Sequence, residues 1–261
     1  MSSKFSAAEQ SRQESADYLP VQIGINKELD GHIHYEERRP SKLYEDIAYC
    51  YWSLRSLKIL EKDFIYTVMP DACVDIVFDV NSMTDPIIMT PHVEVESINL
   101  QKNFHYIGIR FRPGVIRGAI NIKQVIGKQQ KLSDIANLHI DGGDAFSIDE
   151  WHSNLEEMVS VLYRNGFIGK NKFISEIVRC MQYGLSVEKI AVMMGYSSRQ
   201  LRRKVVEQTG FTPIQLRRVL RFQSAISSGD VSLRFADQSH LIKEFKSVTG
   251  VSYKTFVDTF K

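Results

Sequence analysis

Residues 185–216 constrain the fold of this chain more than any other stretch, because they predict two short helices joined by a tight turn. Ser186 is a good N-cap for the first helix, since its hydroxyl can accept a hydrogen bond from a backbone N–H of the first turn. Gly195 favours the end of that helix, because a left-handed backbone costs least without a Cβ. Ser197 can cap the second helix. This pattern predicts a helix-turn-helix.

Three arginines share one face of the second predicted helix. Arg199, Arg202 and Arg203 are spaced i, i+3 and i+4, and they lie nearly opposite the apolar Leu201 and Val205. On an isolated helix such a face is commonly just solvated surface. Here it belongs to the helix that this motif inserts into a DNA major groove, where arginine binds guanine or phosphate. The pattern therefore favours contact with double-stranded DNA.

The charges divide the chain into two parts. The whole chain has a net charge of +2, but residues 170–261 contain 16 Lys and Arg against 7 Asp and Glu, a net charge of +9. The remainder has 17 basic and 24 acidic residues, a net charge of −7. A basic segment of this size is typical of a DNA-binding domain. The acidic part is not expected to contact DNA.

Composition indicates a soluble protein of one or two domains. No apolar run approaches the roughly 20 residues that span a bilayer, so no membrane contact is expected. Residues 1–17 are polar, lack the features of a signal peptide and are predicted to be disordered. The chain has three cysteines, Cys50, Cys73 and Cys180, and their spacing does not match a metal site. This odd number predicts buried thiols and a cytoplasmic location.

The periodicity predicts an α+β fold, with a β-rich regulatory domain at 18–165 that ends in helices and an all-α domain at 170–261. The predicted strands form a small sandwich or barrel from runs at 64–69, 74–80, 86–89, 92–100 and 106–112. Besides the motif, the predicted helices are 40–52, 115–126, 132–138, 151–163, 172–183, 213–228, 238–248 and 252–260.

The helical part resembles the AraC/XylS transcriptional regulators. The resemblance rests on Gly195-Tyr-Ser-Ser-Arg-Gln-Leu-Arg-Arg, on Thr209-Gly-Phe-Thr-Pro, on Arg221-Phe-Gln-Ser-Ala and on the stretch from Phe235 to Phe256. It covers residues 170–260. It implies two helix-turn-helix motifs, joined by a long helix at 213–228, whose recognition helices enter successive major grooves.

The resemblance also implies a set of DNA-binding residues. On the first recognition helix these match Arg199, Arg202 and Arg203, and on the second they match Gln238, Ser239, Ile242 and Lys243. Lys243 replaces a common Arg of the family, which removes the bidentate fork. Phosphate contacts are expected from Lys204, Arg217 and Arg218, and the predicted DNA-binding set also includes Ser198.

The second motif departs from the family pattern. Only Ser227-Ser-Gly-Asp-Val-Ser-Leu-Arg stands between the linker helix and Phe235, so roughly a dozen residues, about three turns of a scaffold helix, are missing. We expect the apolar Phe235, Leu241 and Phe245 to find other partners or to remain partly exposed. An exposed patch of this kind would favour dimerisation.

The N-terminal part is similar to the cupin-like sensor domain of one subgroup of these regulators. The strings that carry this resemblance are Cys50-Tyr-Trp, Met69-Pro-Asp-Ala-Cys-Val-Asp-Ile-Val-Phe and Gly108-Ile-Arg-Phe-Arg-Pro-Gly. Their charged residues are Asp71, Asp75, Arg110 and Arg112. One interpretation is structural, as turn caps and an ion pair within the sheet. The other is an effector-binding pocket or a dimer contact.

The leading hypothesis is a sequence-specific DNA-binding transcriptional regulator, an activator or a repressor. Its N-terminal domain is expected to bind a small-molecule effector, to form a homodimer, or to do both, and RNA polymerase is a further expected partner. The alternative is an antagonist that binds a partner protein through the incomplete second motif. Neither requires a metal or cofactor. The pair His32 and His34 lacks a third ligand, which favours a surface or packing role. Enzymatic DNA repair needs an activated thiolate, which the apolar and acidic surroundings of Cys50 and Cys73 disfavour.

Overall fold

The computed structural model describes residues 20–22, 31–82, 85–117, 129–132, 150–228 and 238–260. The strands are β1 Ile33–Arg38, β2 Ala48–Ser56, β3 Ile65–Val68, β4 Val74–Asp79, β5 Ile87–Met89, β6 Glu96–Asn99, β7 His105–Phe111 and β8 Gln129–Lys131. The helices are α1 Trp151–Arg164, α2 Lys172–Gln182, α3 Val187–Met193, α4 Ser198–Thr209, α5 Pro213–Ser228, α6 Gln238–Thr249 and α7 Tyr253–Phe260. A β-rich part thus precedes a helical part, which confirms the predicted α+β class.

Two antiparallel sheets form the β-rich part. The larger sheet has the strand order β1-β2-β7-β4-β5-β8, and β3 pairs with β6 in the smaller one. The register aligns Arg110 of β7 with Cys50 of β2 and with Asp75 of β4. Gly108 is likewise flanked by Trp52 and Val77. Charged and aromatic side chains that are distant in sequence therefore meet on one face of the larger sheet.

Both faces of the larger sheet are buried. Helix α1 covers one face, where Leu155 and Leu162 pack in the same core as Ile76 and Ile109. The opposite face carries a second group of buried side chains, which includes Cys50, Trp52, Leu54, Val77, Phe64, Leu100 and Phe104. Burial on both faces explains why β2 and β7 read as nearly continuous apolar runs.

Helices α2 to α5 enclose a core that we call the first core. It contains Ile174, Ile177, Ile190, Ala191, Leu201, Val205, Phe211 and Leu216, all of which are at most 1% exposed. Ala72 and Cys73 from the β-rich part also belong to this core. None of the helices in the described ranges is long and apolar enough to cross a membrane.

Helices α5, α6 and α7 share a different apolar cluster, which we call the second core and which consists of Met69, Phe222, Ile226, Phe245, Val248 and Phe256. The ring of Phe245 lies 5.4 Å from that of Phe222 and 5.1 Å from that of Phe256. Met69 comes from the loop between β3 and β4 and is fully buried. Phe245 has therefore found other partners, which was one of the two expected outcomes for this residue.

The structure corrects two helix predictions. The segment 40–52, predicted as a helix from the spacing of Leu43, Ile47 and Tyr51, forms turns followed by β2. The aromatic and β-branched run of β2 pairs with two neighbouring strands, and this tertiary pairing overrides the local helical spacing. In the predicted helix 115–126, Ile116 forms a β-bridge with Ile168 instead.

Several predictions concern residues outside the described ranges. These are the disordered segment 1–17, residues 118–126 and 133–138 of two predicted helices, and Phe235 with the segment before it. Four of the five predicted strands overlap the observed β3, β4, β5 and β7 closely, and the fifth contains the shorter β6.

Candidate nucleic-acid interface and ligand cavity

The predicted helix-turn-helix is formed by α3 and α4, and its capping is as the sequence predicts. The backbone N–H of Lys189 donates to the hydroxyl of Ser186 at 3.2 Å. Gly195 has a φ of +73° directly after the last turn of α3. The N–H of Gln200 donates to the Ser197 hydroxyl at 3.3 Å, and the N–H of Ser197 donates to the Gln200 side chain at 3.0 Å. This reciprocal capping box fixes where α4 begins.

The three arginines of α4 lie on its solvent-facing side. Arg199, Arg202 and Arg203 are all exposed, whereas Leu201 and Val205 on the opposite side are fully buried. Arg202 pairs with Glu188 at 2.8 Å and Arg203 with Glu207 at 3.6 Å. Exposed ion pairs of this kind contribute little to stability, so they leave both arginines available to a phosphate or a base.

Lys204 does not share the face of the three arginines. It follows Arg203 and therefore lies about 100° further round the helix. Its ammonium sits 5.6 Å from the ring centroid of Phe173 and 5.4 Å from that of Tyr196. This cation–π arrangement directs Lys204 toward α2 and the turn before α4. Ser198, in the first turn of α4, is partly exposed.

Arg217 and Arg218 of α5 form contacts inside the helical part. A terminal N–H of Arg217 donates to the Leu185 carbonyl, and burial together with the nearby Arg221 lowers the pKa of Arg217. Nη2 of Arg218 donates to the hydroxyl of Ser247 at 2.6 Å, which joins α5 to α6. Both side chains thus hold helices together, in addition to any role that they have toward DNA.

Helix α6 occupies the position predicted for the second recognition helix. Gln238 and Ser239 lie in its first turn, and their side chains are outside the described set. Lys243 is exposed. The backbone N–H of Val95 donates to the carbonyl of Val248 at 2.9 Å, so the C-terminal turn of α6 is attached to the β-rich part.

A cavity of about 170 Å³ lies between the two sheets of the β-rich part. Its wall is mainly apolar and aromatic, with Leu54, Val68, Val77, Ile87, Met89, Ile98 and Leu100 among the apolar residues and Tyr35, Trp52, Tyr66 and Tyr106 among the aromatic ones. Its polar residues include Gln22, Asp71, Asp75, Thr90, His92 and Arg110. Among the described residues, Nε2 of His92 is buried without a hydrogen-bond partner.

Arg110 is the centre of a charged cluster at one side of the cavity. Its Nε lies 3.2 Å from Asp71 Oδ2, its Nη2 donates to Asp75 Oδ2 at 3.1 Å, and its Nη1 donates to Glu37 Oε1 at 3.2 Å. Trp52 Nε1 donates to the same Asp75 oxygen at 3.1 Å. Three carboxylates therefore surround one guanidinium group that is only 4% exposed.

This cluster changes the acidity of its members. Burial raises the pKa of Asp75 to about 6, the positive charge of Arg110 lowers it and the negative charge of Asp71 raises it. Burial also raises the pKa values of Tyr35 and Tyr66, which stay neutral at physiological pH. The pKa of Arg110 is raised by its carboxylate neighbours despite the opposing effect of burial, so its charge is permanent.

Gly108 makes room for the indole of Trp52. A Cβ built on Gly108 would lie 2.4 Å from two ring carbons of Trp52, closer than any real contact. The absence of a side chain at Gly108 therefore lets the indole lie across β7, where its N–H reaches Asp75.

The loop Met69–Cys73, between β3 and β4, connects the cavity with both helical cores. Asp71 faces Arg110, Met69 enters the second core, and Ala72 and Cys73 enter the first core. Ala72 has a φ of +61°, an uncommon conformation for a residue with a Cβ. The loop thus belongs to the charged cluster and contributes side chains to both helical cores.

Two glutamines hold this loop from either side. Nε2 of Gln22 donates to the Met69 carbonyl at 2.8 Å and to Asp71 Oδ2 at 3.0 Å, and the N–H of Met69 donates to Gln22 Oε1 at 2.9 Å. Nε2 of Gln223, a residue of α5 that is 1% exposed, donates to the Pro70 carbonyl at 2.8 Å. The loop is therefore fastened to the helical part by polar as well as apolar contacts.

The cysteines have none of the features of a nucleophile. Burial raises the pKa values of the Cys50 and Cys73 thiols, and it raises the pKa of Cys180 to about 11. An activated cysteine needs the opposite shift. No group of three or more His, Cys, Asp or Glu side chains within the described residues is suited to hold a metal ion.

The structure brings three of the four predicted ligand residues together. Asp71, Asp75 and Arg110 line the cavity, whereas Arg112 follows the end of β7, donates to the Glu45 carbonyl and lies over the ring of Tyr49. Sequence reasoning missed the other residues of the cluster, Glu37, Trp52 and Tyr66. Only the pairing of β1, β2, β7 and β4 and the packing of β3 reveal their proximity, and no local pattern encodes it.

The comparisons with known proteins give a partial family match and distant structural neighbours. Residues 36–127 match the family model described as "Domain of unknown function (DUF6597)". No curated protein sequence matches the chain. The solved structures that it resembles include a single-residue variant of apo ToxT from Vibrio cholerae strain SCE256, with 12% identity, a TM-score of 0.42 and coverage of 88% of this chain and 97% of that one.

Two further ToxT structures give similar values. Wild-type ToxT with a bound unsaturated fatty acid has 12% identity, a TM-score of 0.40 and coverage of 88% and 95%. ToxT from Vibrio cholerae O395 has 12% identity, a TM-score of 0.40 and coverage of 88% and 99%. Both the identities and the TM-scores are low, so they say nothing about individual residues. The β-rich part of this chain precedes its helical part, which is the order that the sequence resemblance to the AraC/XylS regulators implies.

Proposed function

We propose that this protein is a sequence-specific DNA-binding transcriptional regulator that reads DNA through α4 and is regulated by a small molecule bound in the cavity. The observation that carries the proposal is the exposed face of Arg199, Arg202 and Arg203 on the second helix of a well-capped helix-turn-helix. Arginine binds guanine bidentately and also neutralises phosphate. The net charge of +9 over residues 170–261 supports the same conclusion.

The loop Met69–Cys73 supports the regulatory half of the proposal. A ligand beside Arg110 would change the interactions of Asp71, and Asp71 lies two residues from Met69 in the second core. Gln223 ties the same loop to α5, the helix that links α4 with α6. Ligand binding would thereby alter the position of α6 relative to α4, and a regulator needs two such states to couple two sites.

The proposal includes two partners besides DNA and the effector. A single helix-turn-helix buries too little DNA surface for tight specific binding, so we propose a homodimer that contacts two half-sites. Contact with RNA polymerase would convert DNA binding into control of transcription. Lys243 of α6 is an exposed cation and would contribute through a phosphate contact.

The test begins with duplexes that the full-length protein selects from a random pool, compared with scrambled duplexes of the same composition. Fluorescence anisotropy from low to physiological salt gives the affinity and its salt dependence. We expect selected duplexes to bind roughly a thousandfold more tightly than scrambled ones. Arg202→Ala/Arg203→Ala should remove most of this preference, because each arginine–guanine pair contributes about 1–3 kcal/mol of discrimination.

The matched control is Arg38→Ala/Arg39→Ala, which removes the same charge from two exposed arginines near the edge strand β1. It should leave both affinity and preference unchanged. Equal weak binding of all duplexes, with no effect of the α4 variant, would contradict the proposal. It would then favour the alternative, a regulator that binds a partner protein.

A further inference from the structure

The charged groups at the cavity are already paired with one another. Nε, Nη1 and Nη2 of Arg110 all contact carboxylate oxygens, which belong to Asp71, Asp75 and Glu37. Both oxygens of Asp75 accept from Arg110, and Oδ2 also accepts from Trp52 Nε1. Both oxygens of Asp71 likewise accept from N–H groups of the protein. Within the part of the chain that the structure describes, this cluster is closed on itself and leaves no charge that needs a ligand.

A charged ligand would therefore enter the cavity without an opposite charge to meet it. The rest of the wall is mainly apolar and aromatic, so an ammonium or carboxylate group would lose its water and gain little in return. A ligand that displaced one partner of Arg110 would break a buried ion pair and leave a buried charge uncompensated. The cavity thus selects against ions of both signs and favours an uncharged molecule.

Tyr66 contributes a hydroxyl group that can bind such a molecule. Tyr66 and Val68 line the cavity, whereas Ile65 on the other face of β3 is exposed. The hydroxyl of Tyr66 has no hydrogen-bond partner among the described residues. Burial raises the pKa of Tyr66, so the hydroxyl keeps its proton and is a donor at physiological pH. Buried polar groups in native proteins are nearly always paired, so this donor calls for an acceptor from within the cavity.

The cavity has room for one ring with a short substituent. Its volume of about 170 Å³ is close to that of an engineered cavity, about 150 Å³, that holds benzene. Trp52 and Tyr106 line it from the larger sheet, and Ile98 lines it from the smaller one. Aromatic side chains of this kind pack well against an aromatic ring.

We propose that the effector is an uncharged molecule with a single apolar ring and one hydrogen-bond acceptor, which accepts from the hydroxyl of Tyr66. This inference rests on the proposed regulation through the cavity and adds the chemical class of the ligand. Tyr66 lies three residues before Met69, so a ligand bound to it sits next to the segment that enters the second core. The ring packs between the two sheets, against Trp52 and Ile98.

The experiment titrates the full-length protein with four probes that share one phenyl ring and have nearly the same size. Acetophenone has a carbonyl acceptor, α-methylstyrene has a CH₂ group in place of that oxygen, and benzoate and 1-phenylethylamine are ions of opposite charge. Isothermal titration calorimetry measures binding without DNA. Tryptophan fluorescence in a Trp151→Phe background reports from Trp52 in the cavity wall, because the chain has two tryptophans.

The four probes should separate by charge and by the carbonyl oxygen. We expect acetophenone to bind about fivefold more tightly than α-methylstyrene, because it gains one hydrogen bond between neutral groups. Neither benzoate nor 1-phenylethylamine should bind, since each would bury an unpaired charge.

Three variants locate the site. Tyr66→Phe removes only the hydroxyl, so it should weaken acetophenone binding about fivefold and leave α-methylstyrene binding unchanged. Val68→Phe narrows the cavity without changing charge and should abolish binding of both. Tyr49→Phe, the matched control, removes the hydroxyl of a tyrosine that does not line the cavity and should change nothing. Circular dichroism confirms that each variant is folded.

The outcomes separate this proposal from the proposed function. Equal affinity for acetophenone and α-methylstyrene, equal effects of Tyr66→Phe on both, tighter binding of either ion, or no binding of any probe would each overturn the ligand class. Specific DNA binding in the same preparation would still stand in those cases. Conversely, acetophenone binding that depends on Tyr66, in a protein that shows no preference among duplexes, would support the ligand class and contradict the DNA-reading proposal.

Discussion

The helix pairs α4–α5 and α6–α7 are joined by the same turn, yet their cores are completed in different ways. In the first turn, Thr209 Oγ1 donates to the Val205 carbonyl at 2.8 Å and accepts from the Phe211 N–H at 3.2 Å. Gly210 between them has a φ of +76°. In the second turn, Thr249 Oγ1 donates to the carbonyl four residues earlier at 3.0 Å and accepts from the N–H two residues later at 3.3 Å.

The two turns differ in the apolar residue that follows the glycine. Phe211 is fully buried in the first core, whereas Val251 is 38% exposed. The second core receives the large side chain of Met69 from the β-rich part, whereas the first core receives the small Ala72 and Cys73. The comparison shows that the same local turn can join helix pairs whose cores are packed differently. The first pair is stabilised mainly by other helices, and the second depends on the neighbouring domain.

The largest expected effect on stability comes from replacing the apolar residue that follows each turn glycine, Gly210 in the first turn and Gly250 in the second. Phe211→Ala should lower the free energy of unfolding by about 3–5 kcal/mol, because it empties a fully buried site. Val251→Ala should change it by less than about 0.5 kcal/mol, since the side chain is partly in solvent. Chemical denaturation of both variants measures this. Similar losses in the two variants would remove the proposed difference between the pairs.

Methionine truncation tests the dependence of the second pair on the β-rich part. Met69→Ala should cost about 2–5 kcal/mol. It should speed hydrogen exchange in α6 and α7 far more than in α3, because Met69 packs only in the second core. Met181→Ala, in the first core, is the matched control and should show the reverse pattern. Uniform acceleration in both variants would mean that the two cores open as one unit.

A pH dependence of stability is expected from the β-rich part, because it contains the buried carboxyl of Asp75. The folded-state pKa of Asp75 is raised to about 6, so the native chain binds this proton more tightly than the unfolded chain does. The protonated carboxyl of Asp75 therefore stabilises the native state fully below about pH 4, and this contribution is lost as pH rises through about 6. The groups around Asp75 are Arg110, Asp71, Glu37, Trp52, Cys50, Cys73, Tyr35 and Tyr66.

The measurement is chemical denaturation between pH 4 and 7. Asp75→Asn should flatten the decline of stability with pH, because the amide does not titrate. Asp63→Asn, at an exposed aspartate that accepts from Asn99, is the control and should keep the decline. An unchanged slope in Asp75→Asn would show that another group causes the decline.

The smallest expected loss of stability is one that the two helix pairs, α4–α5 and α6–α7, should show equally. Gly210→Ala and Gly250→Ala place a Cβ on a left-handed backbone, with φ values of +76° and +75°. Each should cost about 1–2 kcal/mol. Because the turn chemistry is the same, thermal unfolding should give equal losses within about 0.5 kcal/mol. A much smaller loss for Gly250→Ala would show that the second turn relaxes independently.

In the helical part, local sequence patterns were sufficient to predict where α3 and α4 begin and end. Ser186, Gly195 and Ser197 determine the ends of α3 and α4 through contacts within three or four residues, and the structure confirms each of them. The β-rich part was harder, because β1 is a polar edge strand and β2 is buried on both faces. Neither therefore has the alternation that identifies a half-buried strand.

A candidate site could be predicted from the sequence only where all of its residues lie on one helix or strand. The arginine face of α4 follows from helical spacing alone. The cavity does not, because Arg110 meets Asp75 through sheet register and Asp71 through the course of a loop. Arg112, the fourth residue of the predicted group, does not line the cavity, because strand alternation no longer applies after β7 ends at Phe111.

The fully buried Met69 has a consequence for how this architecture can be recombined. The side chain belongs by sequence to the β-rich part and by packing to α5, α6 and α7. A chimaera that replaced the N-terminal domain would leave an unfilled hole among Phe222, Phe245 and Phe256 unless the new domain supplied an apolar residue at the same place. Substitutions at Met69 and at the helical residues around it are therefore expected to co-vary, although Met69 is far from them in the sequence.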